Sequence, residues 1–282
     1  MNSHQDSGQA LVLVLLSLSV VLTIVLFVLS RSITDIAVST SGEEAIRAFS
    51  AAEAGVEKAL VLGPSGGPIG DASFSTSVES LAEGQYQFNY PLDLASGDSA
   101  TIWFVSHDDS GSIICDAENP CFSGNQMKVC WGESGTSASS STTPAIEISV
   151  FYDDGSIKIG RGAFDPYSGR PTSNFFSQPD SGTCTISDKT YEFQKTIDFS
   201  DLGAADELLF AKVRMFYNSD RSHGVGVDVN FPGNDALPSQ GNLINSTGTS
   251  GESVRRVEVF QSFSEPPSIF DSAVFSSTGL TK

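Results

Sequence analysis

Ala10-Leu11-Val12-Leu13-Val14-Leu15-Leu16-Ser17-Leu18-Ser19-Val20-Val21-Leu22-Thr23-Ile24-Val25-Leu26-Phe27-Val28-Leu29 carries no charge, and Ser17, Ser19 and Thr23 are its only polar residues. Such a run, coiled as a helix at ~1.5 Å per residue, reaches ~30 Å, the thickness of a bilayer's hydrocarbon core. A core helix of a soluble domain keeps a polar face, and this run has none. It reads as a transmembrane helix over 10–29, with Arg31 the first charge beyond it. In front stands Met1-Asn2-Ser3-His4-Gln5-Asp6-Ser7-Gly8, polar and without Lys or Arg. A secretory signal would have a basic start, a shorter apolar core and a small-residue cleavage site behind it. Here the break between polar and apolar lies before the helix, at Gly8-Gln9.

The helical pattern continues past the span. Ile33, Ala37, Ala45, Phe49, Ala52, Val56 and Leu60 recur at steps of three and four, and Ala48 and Ala59 widen the stripe. Glu43 and Arg47 are placed as an i,i+4 pair of favourable order. Ser39-Thr40-Ser41-Gly42 is where a kink or local melting is expected. Gly63-Pro64-Ser65-Gly66-Gly67-Pro68 ends the helix. The expectation is one helix over 9–62, its first half in lipid and its second half amphipathic, with a stripe that needs something to pack against.

The remainder, 63–282, is acidic and rich in Gly and Ser. The whole chain has 34 acidic against 15 basic residues, a net charge of -19, which argues against a nucleic-acid partner. Four cysteines, Cys115, Cys121, Cys130 and Cys184, all follow the apolar run, and their spacings do not match paired C-x2-C zinc knuckles. An even count outside the cytoplasm favours disulfides over buried thiols. Of the three pairings, a local Cys115–Cys121 loop around Asn119-Pro120, leaving Cys130 to Cys184, is preferred without the other two being excluded.

The N-terminal constellation resembles the prepilin family, in particular PilX-type minor pilins of type IV pili. The carriers are the short leader ending in Gly8, the apolar start Gln9 to Leu16, and Ala48-Phe49-Ser50-Ala51-Ala52-Glu53-Ala54-Gly55-Val56-Glu57-Lys58-Ala59-Leu60. This last run looks like the A-F-x-A-A-E-A-G-hydrophobic-E-x-A-L signature behind the apolar segment of those proteins. The hairpin Leu243 to Gly251 leading into Arg255-Arg256-Val257-Glu258-Val259 also looks like the end of PilX-like sheet domains; between 70 and 200 no resemblance is found. The resemblance implies a leader over 1–8, cut by a prepilin peptidase between Gly8 and Gln9, and methylation of the new amine on Gln9. It further implies extraction of the helix from the bilayer into a filament, with other pilin subunits as partners packing on Leu13, Phe49, Ala52, Val56 and Leu60. The expected location is the cytoplasmic membrane, single pass with the C-terminal domain outside, then pilus or cell surface, in a role in pilus assembly or adhesion. Most pilins carry glutamate where this chain has Leu13, which points to a low-copy, tip or initiation role. The rival reading is an unprocessed single-pass surface adhesin or binding protein.

From Ile69 onward the pattern turns strand-like. Ala145 to Tyr152 alternates with period two, and Asp153-Asp154-Gly155 turns it into Ser156-Ile157-Lys158-Ile159. Ala211 to Tyr217 and Val225 to Phe231 alternate too, and 85–90, 100–106, 127–131, 191–199 and 257–263 are further strands. Gly132 to Thr143 and Thr247 to Gly251 read as turn clusters, and Pro266-Pro267 as a strand stop. The expected class is α+β, a long N-terminal helix followed by an antiparallel β-sheet or sandwich over 63–282.

Catalysis has little to stand on: there is no G-x-S-x-G, H-E-x-x-H, P-loop or strand-to-helix GxGxxG, and no enzyme or cofactor is expected. His107 with Asp108 and Asp109 reads as a surface turn rather than half of an acid–base or metal site. Asp153 to Ser156 and Asn218-Ser219-Asp220 lack the calcium-loop spacing and read as turns. Trp103, Phe104, Phe151, Tyr152, Phe175 and Phe176 read as core before sugar-stacking surface. Asn245-Ser246-Thr247 reads as part of the hairpin rather than a glycosylation sequon.

Overall fold

A computed structural model describes residues 6–265 except 109, 205 and 206. His4, Asp109 and Pro266-Pro267 lie outside the described residues. The fold is α+β: one helix, α1 (Asp6–Leu62), followed by antiparallel sheets. The strands are β1 (Gly66–Ile69), β2 (Ala72–Ser80), β3 (Gln87–Asn89), β4 (Ser99–Trp103), β5 (Ser106–His107), β6 (Ile113–Ile114), β7 (Gln126–Glu133) and β8 (Ala145–Asp153). They continue with β9 (Ile157–Phe164), β10 (Cys184–Ile186), β11 (Lys189–Asp198), β12 (Glu207–Phe216), β13 (Val225–Asp228), β14 (Asn242–Ser250) and β15 (Ser253–Gln261).

The chain divides into two compact units. The first unit comprises residues 1–78 and 244–259, and the second is inserted between them as residues 79–243 with 260–282. In the first unit α1 is followed by a sheet of order β1-β2-β14-β15. The helix runs unbroken through Ser39 to Gly42, where a kink was expected. The hydroxyl of Thr34 bonds the carbonyl of Ser30 one turn back, and Glu43 meets Arg47 at 2.5 Å just beyond Gly42. One glycine costs about 1 kcal/mol, less than the surrounding turns supply. Gly63 caps α1 in the left-handed conformation (φ +78°), its N–H donating to the Ala59 carbonyl. Gly66 to Ile69 then makes a strand where only a helix stop was expected; Pro68 is tolerated because β1 is the sheet's edge. Thr247 to Ser250 is strand rather than turn; only Gly251 and Glu252 connect β14 to β15.

The second unit is a sandwich of a five-stranded sheet, β10-β11-β7-β13-β3, and a four-stranded one, β4-β12-β8-β9. Strand alternation makes this work. Ala211, Val213 and Met215 stand opposite Val150, Ile148 and Ile146, and join Val129, Trp131, Phe193, Val225 and Val227 of the other sheet in one core. Trp131, fully buried, keeps its indole N–H satisfied by the Pro144 carbonyl at 3.0 Å. Disulfides join Cys115 to Cys121 (Cα–Cα 5.3 Å) and Cys130 to Cys184 (5.9 Å). The second packs against Ile186 and Tyr191.

Candidate functional site

Nothing in the described chain covers the first half of α1. Leu11 to Leu29 present their apolar side chains outward, and α1 is long and apolar enough to cross a membrane. The three polar residues are neutralised locally. Ser17 donates to the Val14 carbonyl at 2.9 Å, Ser19 to Leu16 at 2.8 Å and Thr23 to Ser19 at 2.8 Å. Each hydroxyl is folded back onto its own helix, so no hydrogen bond from a neighbour is needed in an apolar medium.

The second half is built differently. Ala48, Ala51, Ala52, Gly55, Val56 and Ala59 are buried, all within one side of the helix. They are small because strand β14 passes close beneath. A Cβ added to Gly248 would lie 1.9 Å from the Ala48 carbonyl oxygen and 2.6 Å from the Ala52 nitrogen. A Cβ added to Gly55 would lie 2.3 Å from Ser246 Oγ and 2.9 Å from Phe74. Val56 and Ala59 complete the seam against Ile244, with Val78, Val257 and Val259 beside it. The polar members of the same run, Glu53, Glu57 and Lys58, are exposed, and Lys58 Nζ sits 5.0 Å above the Phe74 ring.

Of the residues expected to pack, Ala52 and Val56 lie in this seam. Leu13, Phe49 and Leu60 are open, at 62%, 45% and 45% exposure, and Ile46 joins Phe49 on the uncovered side. Gly8 and Gln9 fall within α1. Sequence reading missed Ala51, Gly55, Ser246 and Gly248. Gly55 and Gly248, about 190 residues apart in sequence, carry no local sign that they line one seam.

No family model, no curated protein and no solved structure matches this chain.

Most of the other residues singled out from the sequence have structural employment elsewhere in the fold. His107 stacks on Phe263 (4.0 Å between ring centres) and meets Trp103 edge-on. Burial lowers its pKa against the opposing pull of Asp108. Asp108 accepts hydrogen bonds from the N–H groups of Ser110 and Ser112, which fold the loop. Asp153 accepts from the Gly155 N–H (φ +96°) and closes the β8–β9 turn. Asn218 Nδ2 donates to the carbonyls of Leu94 and Arg221. Among the described residues no group of three or more His, Cys, Asp or Glu is placed to hold a metal. Trp103, Phe104 and Tyr152 are buried, whereas Phe175 is 88% exposed. Ser246 is fully buried in the helix seam, and Asn245 accepts from Arg256 across the hairpin, which leaves no open sequon.

Proposed function

We propose that this chain is a PilX-type minor pilin, a structural subunit whose helix first resides in the membrane and then packs among the helices of neighbouring subunits in a type IV pilus or related filament. The observation that carries the reading is the construction of α1. One unbroken rod has an uncovered, hydrogen-bond-satisfied apolar first half. Its second half is locked to the chain's own sheet by one side and leaves Ile46, Phe49 and Leu60 bare on another. A simple tether needs a span but has no use for a further nine or so turns (~3.6 residues each) with a second apolar side. A filament subunit needs both, because the bilayer and the bundle of neighbouring helices must be interchangeable surroundings for the first half.

Two further features support the reading. The runs that resemble PilX-type proteins are 48–60 and 243–259; the first and, from Ile244 on, the second belong to the same compact unit and meet in the seam. The small residues of the 48–60 run are the ones that the close approach of Gly248 requires. In this reading Gly8-Gln9 is the peptidase site and Gln9 carries the methylated amine. The domains beyond α1 lie outside the cytoplasm, and the subunit catalyses nothing.

Intact-mass measurement on chain extracted from its own membrane tests this. Loss of Met1 to Gly8 with a methyl group on Gln9, abolished by a bulky replacement of Gly8, is the expected result, together with recovery of the chain in sheared filaments. A chain that keeps its first eight residues and never leaves the membrane fraction is instead a single-pass surface-binding protein, and the proposal fails.

A further inference from the structure

The second unit carries a polar cavity that neither the helix nor a filament role employs. It measures about 170 Å³, and Thr136, Ser137, Thr142, Thr143, Arg221 and His223 are among the residues that line it. The Ser/Thr-rich loop after β7 forms one wall. Its shape is held from within: Thr136 Oγ1 donates to the Glu133 carbonyl at 2.6 Å and Thr143 Oγ1 to the Ser137 carbonyl at 2.7 Å. Arg170 holds it from behind, donating to the carbonyls of Ser141 and Thr143 at 2.7 Å each while bonding the buried Asp165. The cavity is therefore preformed, not a gap in a loose loop.

Charge decides what it can hold. Arg221 is already paired with Glu133 at 2.9 Å, and Asp220 adds a further negative group to the lining. That balance is wrong for phosphate, sulfate or another anion. The guanidinium is equally wrong for a cation. His223 is buried and lowered in pKa by burial and by Arg221, against the pull of Glu133, Asp220 and Asp93, so it is neutral at pH 7. Its Nδ1 accepts the Glu133 N–H at 3.3 Å, which puts the hydrogen on Nε2 as a donor. Hydroxyls, one neutral imidazole donor and a charge-compensated guanidinium are the donor and acceptor set for a neutral, hydroxyl-rich ligand.

Arg170 links the loop that walls the cavity to two aromatic residues. The Arg170 guanidinium that braces the loop lies 4.1 Å from the Tyr217 ring centre, and Asn174 reaches the Tyr217 hydroxyl at 3.5 Å. Next to Asn174, Phe175 stands 88% exposed. Both Phe175 (φ +60°) and Tyr217 (φ +70°) are in the left-handed region, which a bulky residue enters only at an energetic cost. Phe175's neighbours fix it there: Asn174 is bonded to Asp165, and its Oδ1 accepts the Phe176 N–H at 3.0 Å. A rigidly displayed, strained aromatic side chain with no packing duty is suited to stacking on an apolar sugar face.

We infer that this end of the sandwich is a saccharide-binding site, with a neutral sugar ring in the Ser/Thr-lined cavity and an adjoining ring reaching the exposed side chain of Phe175. The site is independent of whether α1 enters a filament. The test is saturation-transfer NMR on the full chain in a zwitterionic, sugar-free detergent, with chitotriose, maltotriose and lactose as probes. At least one should bind saturably. Phe175→Ala and Thr142→Val, both away from the core, should each weaken it by roughly three- to tenfold, with near-ultraviolet circular dichroism unchanged. Inorganic phosphate should not compete. Absence of saturable transfer from all three probes, binding unchanged in the Phe175→Ala/Thr142→Val double variant, or displacement by phosphate would each overturn the assignment.

Discussion

A methyl group added at Gly248 would stand 1.9 Å from the carbonyl oxygen of Ala48 and 2.6 Å from the amide nitrogen of Ala52. Both opposing atoms are helix backbone and cannot rotate away, so in Gly248→Ala the helix must lift from β14 by about 1.5 Å to restore ordinary contact distance. Overpacking of this kind costs about 1–3 kcal/mol. The upper end applies here, because lifting the helix also loosens Ala51, Ala52, Val56 and Ala59 over their shared seam. A loss of ~3 kcal/mol corresponds to roughly hundredfold faster opening of the unit. Hydrogen exchange of peptides covering 242–250, in detergent-embedded full chain, reads this directly. Gly42→Ala is the control: nothing lies within 4 Å of its added Cβ, so it should stabilise by up to about 1 kcal/mol through helix propensity. Gly55→Ala meets side chains, chiefly Ser246 Oγ at 2.3 Å, rather than backbone. Pairing it with Ser246→Ala, which removes a buried hydroxyl that has no partner, should recover most of its loss, a coupling a double-mutant cycle measures. If Gly248→Ala exchanges within threefold of the parent chain, the close-packed seam is not what holds helix to sheet.

Asp165 offers an acid-titration test in the second unit. Burial pushes its pKa up, but Arg170, the Tyr167 N–H and Asn174 outweigh that and hold it below the ordinary carboxylate value. A depressed folded pKa contributes stability that is full above the unfolded pKa of ~3.9 and is lost as pH falls through the folded value. Denaturant melts of Asp165→Asn should thus show ~3–5 kcal/mol lost at pH 7, and a shallower decline below pH ~4 than the parent chain. Opening Cys130–Cys184, which spans 54 residues, should cost about 4 kcal/mol, and opening Cys115–Cys121, which spans 6, about 2 kcal/mol, measured by melts of the Cys→Ala pairs. An arginine at Val20, mid-span, should cost ~2.5–3.5 kcal/mol of membrane insertion, read as the fraction of chain extracted by alkaline carbonate.

How far the fold was legible depends on the range of the forces involved. The span, the long helix and the β8–β9 hairpin are written in runs of neighbouring residues, where period and turn chemistry suffice. Gly248 was misread because Thr247-Gly248-Thr249 looks like a turn; its small size answers to a helix two hundred residues earlier. Gly66 to Ile69 looked like a terminator because glycine and proline are poor strand formers anywhere but an edge. Phe175 was assigned to the core on the general habit of aromatics, since no local pattern records a side chain held out at positive φ. The polar cavity draws on segments 135–143 and 220–223, which only the sandwich brings together.

The order of segments in the helix-bearing unit has its own consequence. Because β14 and β15 are the last strands among the described residues, the seam under Ala48 to Ala59 stays bare until residues 244–259 have been made. Synthesis that halts anywhere before Ile244 leaves the helix with no floor beneath its alanines. The inner side of the rod is thus completed by strands made nearly 200 residues after it.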